Sequence, residues 1–283
     1  MSSIIIGTAQ FGMDYGITNT RGKIPDEEVH EILRYLVDQN ILKLDTASGY
    51  GDAEEILGRF TDIDKFLITT KVSIDSDETI KVQIKRSLEK LGVSSIDTVL
   101  IHDYSKVKSE IEKQEVILAL EELKNTGLCH KIGVSVYEPW ETKGFDGDHS
   151  IDVVQLPLNL FNQVFIQTGE FNRLQGIGIE IQIRSVFMQG VTLAKRIPNK
   201  LIFAVNDFEF YLEFLNKHGV SQLDASLGFV KSLPGEKDII VAVDRIDQLL
   251  SIVESMSKSL NPEIDFSKLS SSNIKFITPK LWS

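Results

Sequence analysis

A chain of 283 residues with 42% hydrophobic and 25% charged side chains has the make-up of an ordinary globular protein, long enough for two small domains or one large barrel. Thirty basic against forty-one acidic side chains give a net charge of −11 with no basic run, which argues against a nucleic-acid partner. A single cysteine, Cys129, excludes an intramolecular disulfide framework and a paired-cysteine zinc site; it reads as a packing residue in a reducing cytosol.

The N-terminal stretch MSSIIIGTAQFG has no basic segment and too short an apolar run for a secretory signal, and no later stretch approaches the ~18 apolar residues of a membrane span. A cytoplasmic location without a membrane partner is therefore expected. Eight short β-branched runs then recur along the chain: IIIGTA, ILKLDTA, FLITTKV, TVLIHD, HKIGVSV, IDVVQLPL, IEIQIRSV and DIIVAV. Between most of them lie segments with apolar residues at helical spacing, such as VHEILRYL, IKVQIKRSLEKL and VILALEELKNTG. Near-continuous apolar strands alternating with amphipathic helices mean parallel strands covered by helices. Eight such units without a linker or a composition break favour a single (β/α)8 TIM barrel spanning residues 1–283 over an open doubly wound sheet. The seventh connection is long enough for a loop and two helices, DFEFYLEFLNKHG and SQLDASLGFVKSL. Residues 258–283 lack clear periodicity and form a tail, either frayed or folded back over the barrel mouth. Trp140 and Trp282 read as structural anchors.

In a barrel the chemistry sits at the carboxyl ends of the strands. Three consecutive strands deliver Asp45, Tyr50, Lys71 and His102 to that end. Singly, each has an ordinary explanation, as a cap, a packed ring, a solvated charge or a core histidine. Together they suit carbonyl reduction. An ammonium beside a phenol stabilises the phenolate and draws its pKa down, so Lys71 would tune Tyr50. Asp45 would hold Lys71, and His102 would donate a hydrogen bond to the substrate oxygen as it gains charge. Tyr50 then supplies the proton and a cofactor the hydride.

With these residues in place, the sequence resembles the aldo-keto reductase superfamily from GTAQFG to DRIDQL, through the contexts LDTASGYGDAEEILG, ITTKV and VLIHD. GTAQFGMDYGITN and RSVFMQG are similar to bacterial members found with polysaccharide or sugar biosynthesis. The resemblance implies a nicotinamide nucleotide bound without a Rossmann fold, in agreement with the lack of a GxGxxG motif, and no metal. It puts the carboxamide contacts on Ser135 and Gln155, ring stacking on Arg184, and the pyrophosphate on Ser185 and the following backbone, with Phe187 and Gln189 also at the cofactor. An arginine suits a doubly charged pyrophosphate on physical grounds. After the eighth strand the family's basic clamp for the 2′-phosphate is replaced by Ala242, Val243 and Asp244, and its adenosine contacts by Ser251 and Ile252. Only Arg245 could hold a phosphate, whereas Asp244 could bind a ribose hydroxyl. NADP(H) is the first expectation and NAD(H) the second. Val136 stands where the family has an Asn.

Phe11, Tyr15, Asp103 and Tyr104, with Phe187, Met188 and Gln189, are expected to line the substrate pocket. Rings beside polar groups suit a hydroxylated carbonyl compound such as a sugar aldehyde or ketone. The expected partner is thus a small carbonyl compound, and the protein a monomer or weak homo-oligomer. Two other readings stay open: a nucleotide-binding regulatory subunit, and a non-redox enzyme acting on a nucleotide sugar.

Overall fold

Parallel strands covered on both sides must be apolar on both faces, and that requirement shapes the whole molecule. The computed structural model describes residues 3–145 and 150–282, so the extreme ends of the expected 1–283 domain and of its tail lie outside the described residues. The eight apolar runs form β1 (Ser3–Gly7), β2 (Lys43–Asp45), β3 (Leu67–Val72), β4 (Ile96–Ile101), β5 (Cys129–Ser135), β6 (Val153–Pro157), β7 (Glu180–Arg184) and β8 (Asp238–Ala242). They pair in chain order, all parallel, and β8 closes on β1 through Ile5 opposite Ile240. The result is the closed (β/α)8 barrel expected from the alternation.

The helices are α1 (Ala9–Gly12), α2 (Asp26–Asp38), α3 (Ala53–Gly58), α4 (Ile80–Leu91), α5 (Glu110–Asn125), α6 (Val164–Gln167), α7 (Glu170–Gly176), α8 (Val205–His218), α9 (Gln222–Ser232), α10 (Ile246–Ser257) and α11 (Ile274–Ile277). In α2 the residues Val29, Ile32, Leu33 and Leu36 bury one stripe, the i, i+3, i+4, i+7 pattern of a helix lying on a sheet. Local signals set the ends. Thr79 Oγ1 accepts from the Val82 amide at the start of α4, and Gly92, at φ 67°, takes the left-handed position just past its end. Ser109 and Ser221 cap α5 and α9 in the same way. Among the described residues no helix is long and apolar enough to cross a membrane. Cys129 is buried at the start of β5, and burial pushes its thiol pKa up to about 11, which suits packing.

Beyond α10 the chain folds back over the loops at the carboxyl end of the barrel. Phe276 is fully buried against Phe161, with ring centroids 4.8 Å apart, and the Ser271 amide donates to the Phe161 carbonyl at 2.9 Å. The Trp282 indole donates to the Lys275 carbonyl at 2.9 Å and anchors this segment, whereas Trp140 is 57% exposed and its indole makes no hydrogen bond among the described residues. That corrects the expectation for Trp140, whose short helical turn leaves its ring on the solvent side.

One close approach brings the first strand's loop to the second's. A side chain at Gly12 would collide with the Tyr50 carbonyl, and one at Gly51, where φ is 58°, would collide with the Gly12 carbonyl. Only glycines permit this packing of α1 against the loop that carries Tyr50. Gly12→Ala is expected to destabilise the fold by about 1–3 kcal/mol, read as a fall of roughly 3–10 °C in Tm by calorimetry.

Candidate active site

Adjacent parallel strands end side by side, so side chains at the ends of β2, β3 and β4 converge above the barrel. Asp45 is the last residue of β2, Tyr50 lies in the loop leading to α3, Lys71 is next to last in β3, and His102 directly follows β4. Lys71 is 1% exposed, and its Nζ donates to Asp45 Oδ2 at 2.6 Å, to the Thr46 carbonyl at 2.9 Å and to the Tyr50 hydroxyl at 3.4 Å. The Tyr50 ring meets His102 edge-on with centroids 5.5 Å apart. A second layer supports these contacts: Gln155 Nε2 donates to Asp45 Oδ1 at 2.7 Å and to Gln182 Oε1 at 3.1 Å.

Burial decides the charge states. It pushes the Tyr50 phenol well above the usual tyrosine range, with the Asp45 carboxylate adding to it and the Arg184 guanidinium opposing. Burial also pulls the Lys71 ammonium below the usual lysine range, against the opposing pull of Asp45. His102 falls to about 4, through burial first and then the Lys71 and Arg184 charges. The expectation that Lys71 draws the Tyr50 pKa down is therefore corrected. Asp45 answers the ammonium at 2.6 Å, so the phenol meets a compensated pair and desolvation prevails. At neutral pH the site presents a protonated phenol and a neutral imidazole, both able to donate hydrogen bonds.

The residues expected at a cofactor lie at or near the carboxyl ends of β5, β6, β7 and β8, around the same mouth. Arg184 ends β7, donates to Ser135 Oγ (3.3 Å), Ser185 Oγ (3.2 Å) and the Val136 carbonyl (2.8 Å), and stacks over the Tyr137 ring at 4.4 Å. It pairs with no carboxylate among the described residues. Both Gln155 N–H groups are engaged, which leaves its carbonyl oxygen to accept from a ligand. Ser135 Oγ accepts from Arg184 and keeps its proton to donate. One acceptor beside one donor complements a primary carboxamide, and an unpaired guanidinium suits a pyrophosphate, so these residues fit a nicotinamide nucleotide. The loop after β7 holds Ser185, Met188 and Gln189 at φ of 60°, 47° and 53°, a backbone that persists only where the surroundings over-determine it. Phe187 lies at the edge of the core, and Gln189 Oε1 accepts from the Ile17 amide at 3.2 Å, tying this loop to the one after β1. Arg245, in the loop after β8, forks onto Asp247 at 2.9 and 3.1 Å.

Three residues expected to line the substrate pocket are core residues instead. Phe11 and Met188 are fully buried, and Tyr104 is buried against Phe145, with ring centroids 5.8 Å apart. Short helical turns at the strand ends rotate them inward. Tyr15 is 40% exposed, and burial of its hydroxyl, then Tyr50, raises its pKa. Asp103 accepts from Lys280 Nζ at 2.7 Å and from Ser105 Oγ at 2.5 Å. Burial would raise the Asp103 pKa, but Lys280 and Ser105 outweigh it and hold it low. Sequence reasoning missed Tyr137, Lys280 and Arg21. Lys280 Nζ also lies 4.7 Å from the Tyr137 ring centroid, and Arg21 Nη1 donates to the Asp244 carbonyl at 2.5 Å. Tyr137 could have been found, since it lies two residues past the end of β5; a tail without periodicity carried no signal for Lys280.

Residues 3–273 match the family model described as "Aldo/keto reductase family". Among curated proteins, the chain is 29% identical over 151 residues to D-arabinose 1-dehydrogenase of Saccharomyces cerevisiae (48% of this chain, 43% of that protein). It is 28% identical over 149 residues to aldo-keto reductase YhdN of Bacillus subtilis (47% and 44%). The chain thus spans less than half the length of these relatives. Among solved structures, it superposes on an aldo-keto reductase from Bacillus halodurans in its holo form with a TM-score of 0.74 at 19% identity, covering 95% of this chain and 92% of that one. It superposes on an aldo/keto reductase from Klebsiella pneumoniae in complex with NADP and acetate with a TM-score of 0.70 at 19% identity, covering 94% and 89%. At such identities these likenesses show the fold. The association with polysaccharide biosynthesis finds no support among these relatives.

Lys71→Met leaves the Asp45 carboxylate buried without its cation and is expected to cost about 3–5 kcal/mol in urea denaturation. The double variant Asp45→Asn/Lys71→Met is expected to be the more stable of the two; equal stability would refute an electrostatic pairing. For His102 the unfolded chain takes up a proton near pH 6.5 that the folded chain refuses until about 4. Folding stability attributable to His102 is therefore lost as the pH falls from about 6.5 to about 4 and is constant above. In His102→Gln the decline of Tm across that window should be shallower than in the parent protein.

Proposed function

The chain belongs to the aldo/keto reductase family, and from that premise we propose that it is a nicotinamide-nucleotide-dependent oxidoreductase that reduces an aldehyde or ketone to an alcohol. One observation carries the reading: a protonated Tyr50 hydroxyl lies 3.4 Å from Lys71 Nζ, which is itself 2.6 Å from Asp45, within reach of a neutral His102. The nucleotide, when bound, supplies the hydride. Ser135 and Gln155 would hold its carboxamide, and Arg184 and Ser185 its charged pyrophosphate.

This chain's residues do the rest. The substrate carbonyl oxygen gains charge as its carbon is reduced, and hydrogen-bond donors aimed at that oxygen stabilise the change. His102, neutral because of burial, donates without adding a fixed charge. Tyr50 delivers the proton. Lys71 becomes more effective at that moment, because an oxyanion forming on the phenol side meets an ammonium already fixed by Asp45 and the Thr46 carbonyl. Tyr15 and Asp103 follow the ends of β1 and β4, and Lys280 of the tail pairs with Asp103 there. Polar groups beside rings suit a hydroxylated substrate, and a sugar aldehyde or ketone is the proposed class.

NADP(H) is the first choice of nucleotide, with Arg21 joining Arg245 at the loop after β8. A specific observation favours NAD(H) as a second reading. Both arginines are already paired, with Glu28 and Asp247, and the buried Asp244 Oδ1 has no hydrogen-bond partner. A ribose hydroxyl would satisfy that oxygen, whereas a 2′-phosphate would be repelled by it.

Titration with NADPH and with NADH, followed by quenching of protein fluorescence, tests the reading. Binding at micromolar levels supports it, and no binding of either nucleotide would sink it. Tyr50→Phe is expected to lower kcat for carbonyl reduction by about 10²–10⁴-fold while nucleotide affinity and Tm stay close to those of the parent; near-normal turnover would remove Tyr50 from the proton-donor role.

A further inference from the structure

We propose that Gln182 is a positioning residue that locks the Gln155 amide in one orientation and, through it, orders both the Asp45–Lys71 pair and the acceptor offered to a bound carboxamide. The second consequence rests on the reductase reading; the first does not. Gln182 is 5% exposed and Gln155 1%, and they are register neighbours on β7 and β6. In an eight-stranded barrel β6 lies opposite β2, and β7 opposite β3. The two glutamines reach straight across the interior: Gln155 Nε2 to Asp45 Oδ1 at 2.7 Å, and Gln182 Nε2 to Thr69 Oγ1 at 3.3 Å. Asp45 and Thr69 are themselves register neighbours on β2 and β3. A polar layer of three side-chain hydrogen bonds therefore bridges the barrel beneath Lys71 and Tyr50.

The polarity of that layer is forced. Turning the Gln155 amide over would put its carbonyl oxygen 2.7 Å from a carboxylate oxygen, two acceptors with no proton between them. The amide must present Nε2 to Asp45, and its second N–H then needs an acceptor. Gln182 Oε1, at 3.1 Å, is that acceptor. Gln182 in turn is kept from flipping because its own NH2 would then face the Gln155 NH2, donor against donor. Its NH2 is received by Thr69, whose hydroxyl can accept. Without Gln182, a buried N–H would lack a partner, at a penalty that favours rotation of Gln155 away from Asp45. Asp45 would then keep Lys71 but lose the contact that fixes its own rotamer, and the ammonium would drift from the Tyr50 hydroxyl. Side chains alternate along β7, so Ile181 and Ile183 pack toward the helices while Gln182 faces the barrel interior with Glu180 below it and Arg184 above, and a buried glutamine on that face needs partners for its amide.

The test uses the full chain with Gln182→Met, close in shape but without the amide, and Gln182→Glu, which burial keeps protonated and able to accept from Gln155 and donate to Thr69. Without any nucleotide, 15N-resolved NMR of the Gln155 side-chain amide is expected to show slow hydrogen exchange in the parent and in Gln182→Glu, and exchange at least tenfold faster in Gln182→Met. With nucleotide, Gln182→Met is expected to lose about tenfold in kcat and tenfold in nucleotide affinity while KM for the carbonyl stays within twofold, and Gln182→Glu to recover both to within threefold. Unchanged exchange and unchanged kcat in Gln182→Met would overturn the proposal, as would a loss confined to Tm. Should Gln182→Met fail to fold, Thr69→Val removes the outer end of the layer and must move the same readouts in the same direction. If the parent binds no nicotinamide nucleotide, the reductase reading fails, and the amide exchange alone still decides the lock.

Discussion

A fully buried ammonium is tolerable only beside a fixed anion, and the pairing of Lys71 with Asp45 is the constraint on which the rest of this structure hangs. The two groups come from neighbouring strands, meet at 2.6 Å and are almost entirely closed to solvent. Their remaining hydrogen-bonding capacity has to be met inside the barrel, which is why polar residues replace the usual aliphatic layer there. Thr46 offers a carbonyl, Gln155 crosses from the far wall, and Gln182 and Thr69 complete the set. The cost of desolvating one ion pair has thus propagated into the choice of side chains on β2, β3, β6 and β7.

The same burial sets the chemistry available at the mouth. A low-dielectric surrounding penalises the charged form of every group, raising the phenol of Tyr50 and lowering the ammonium of Lys71 and the imidazole of His102. Three titratable groups close together would repel or neutralise one another in water. Here the phenol and the imidazole are held neutral while Asp45 keeps the Lys71 ammonium paired, and the cluster becomes a set of donors awaiting a developing negative charge. Arg184 is the exception, a guanidinium held by Ser135, Ser185 and the Val136 carbonyl with no carboxylate among the described residues to answer it. A charge left without a carboxylate beside a cluster whose own ion pair is compensated is where an anionic portion of a ligand gains most.

The loops divide into those that chemistry made legible and those that packing hid. Asp45, Tyr50, Lys71 and His102 could be read because strand ends are recognisable from their β-branched runs and because four chemically compatible side chains fell on three successive ends. Phe11, Tyr104 and Met188 were misplaced for the opposite reason. Short helical turns after a strand rotate side chains by about 100° per residue, so position near a strand end does not say which way a ring points. Lys280 and Arg21 were invisible for a further reason. Each acts at a distance in sequence, across 177 residues to Asp103 and 223 residues to Asp244.

By itself the sequence determined the barrel, since eight apolar runs alternating with amphipathic helices leave parallel closure as the arrangement that buries both faces of every strand. It also determined the identity of the four clustered residues, because that information is local to each strand end. Only the tertiary structure decided the charge states, the orientation of Arg245 onto Asp247 and the fastening of the tail through Lys280. Desolvation and long-range pairing depend on what surrounds a group in three dimensions, and no spacing along a chain encodes how much water remains around a phenol.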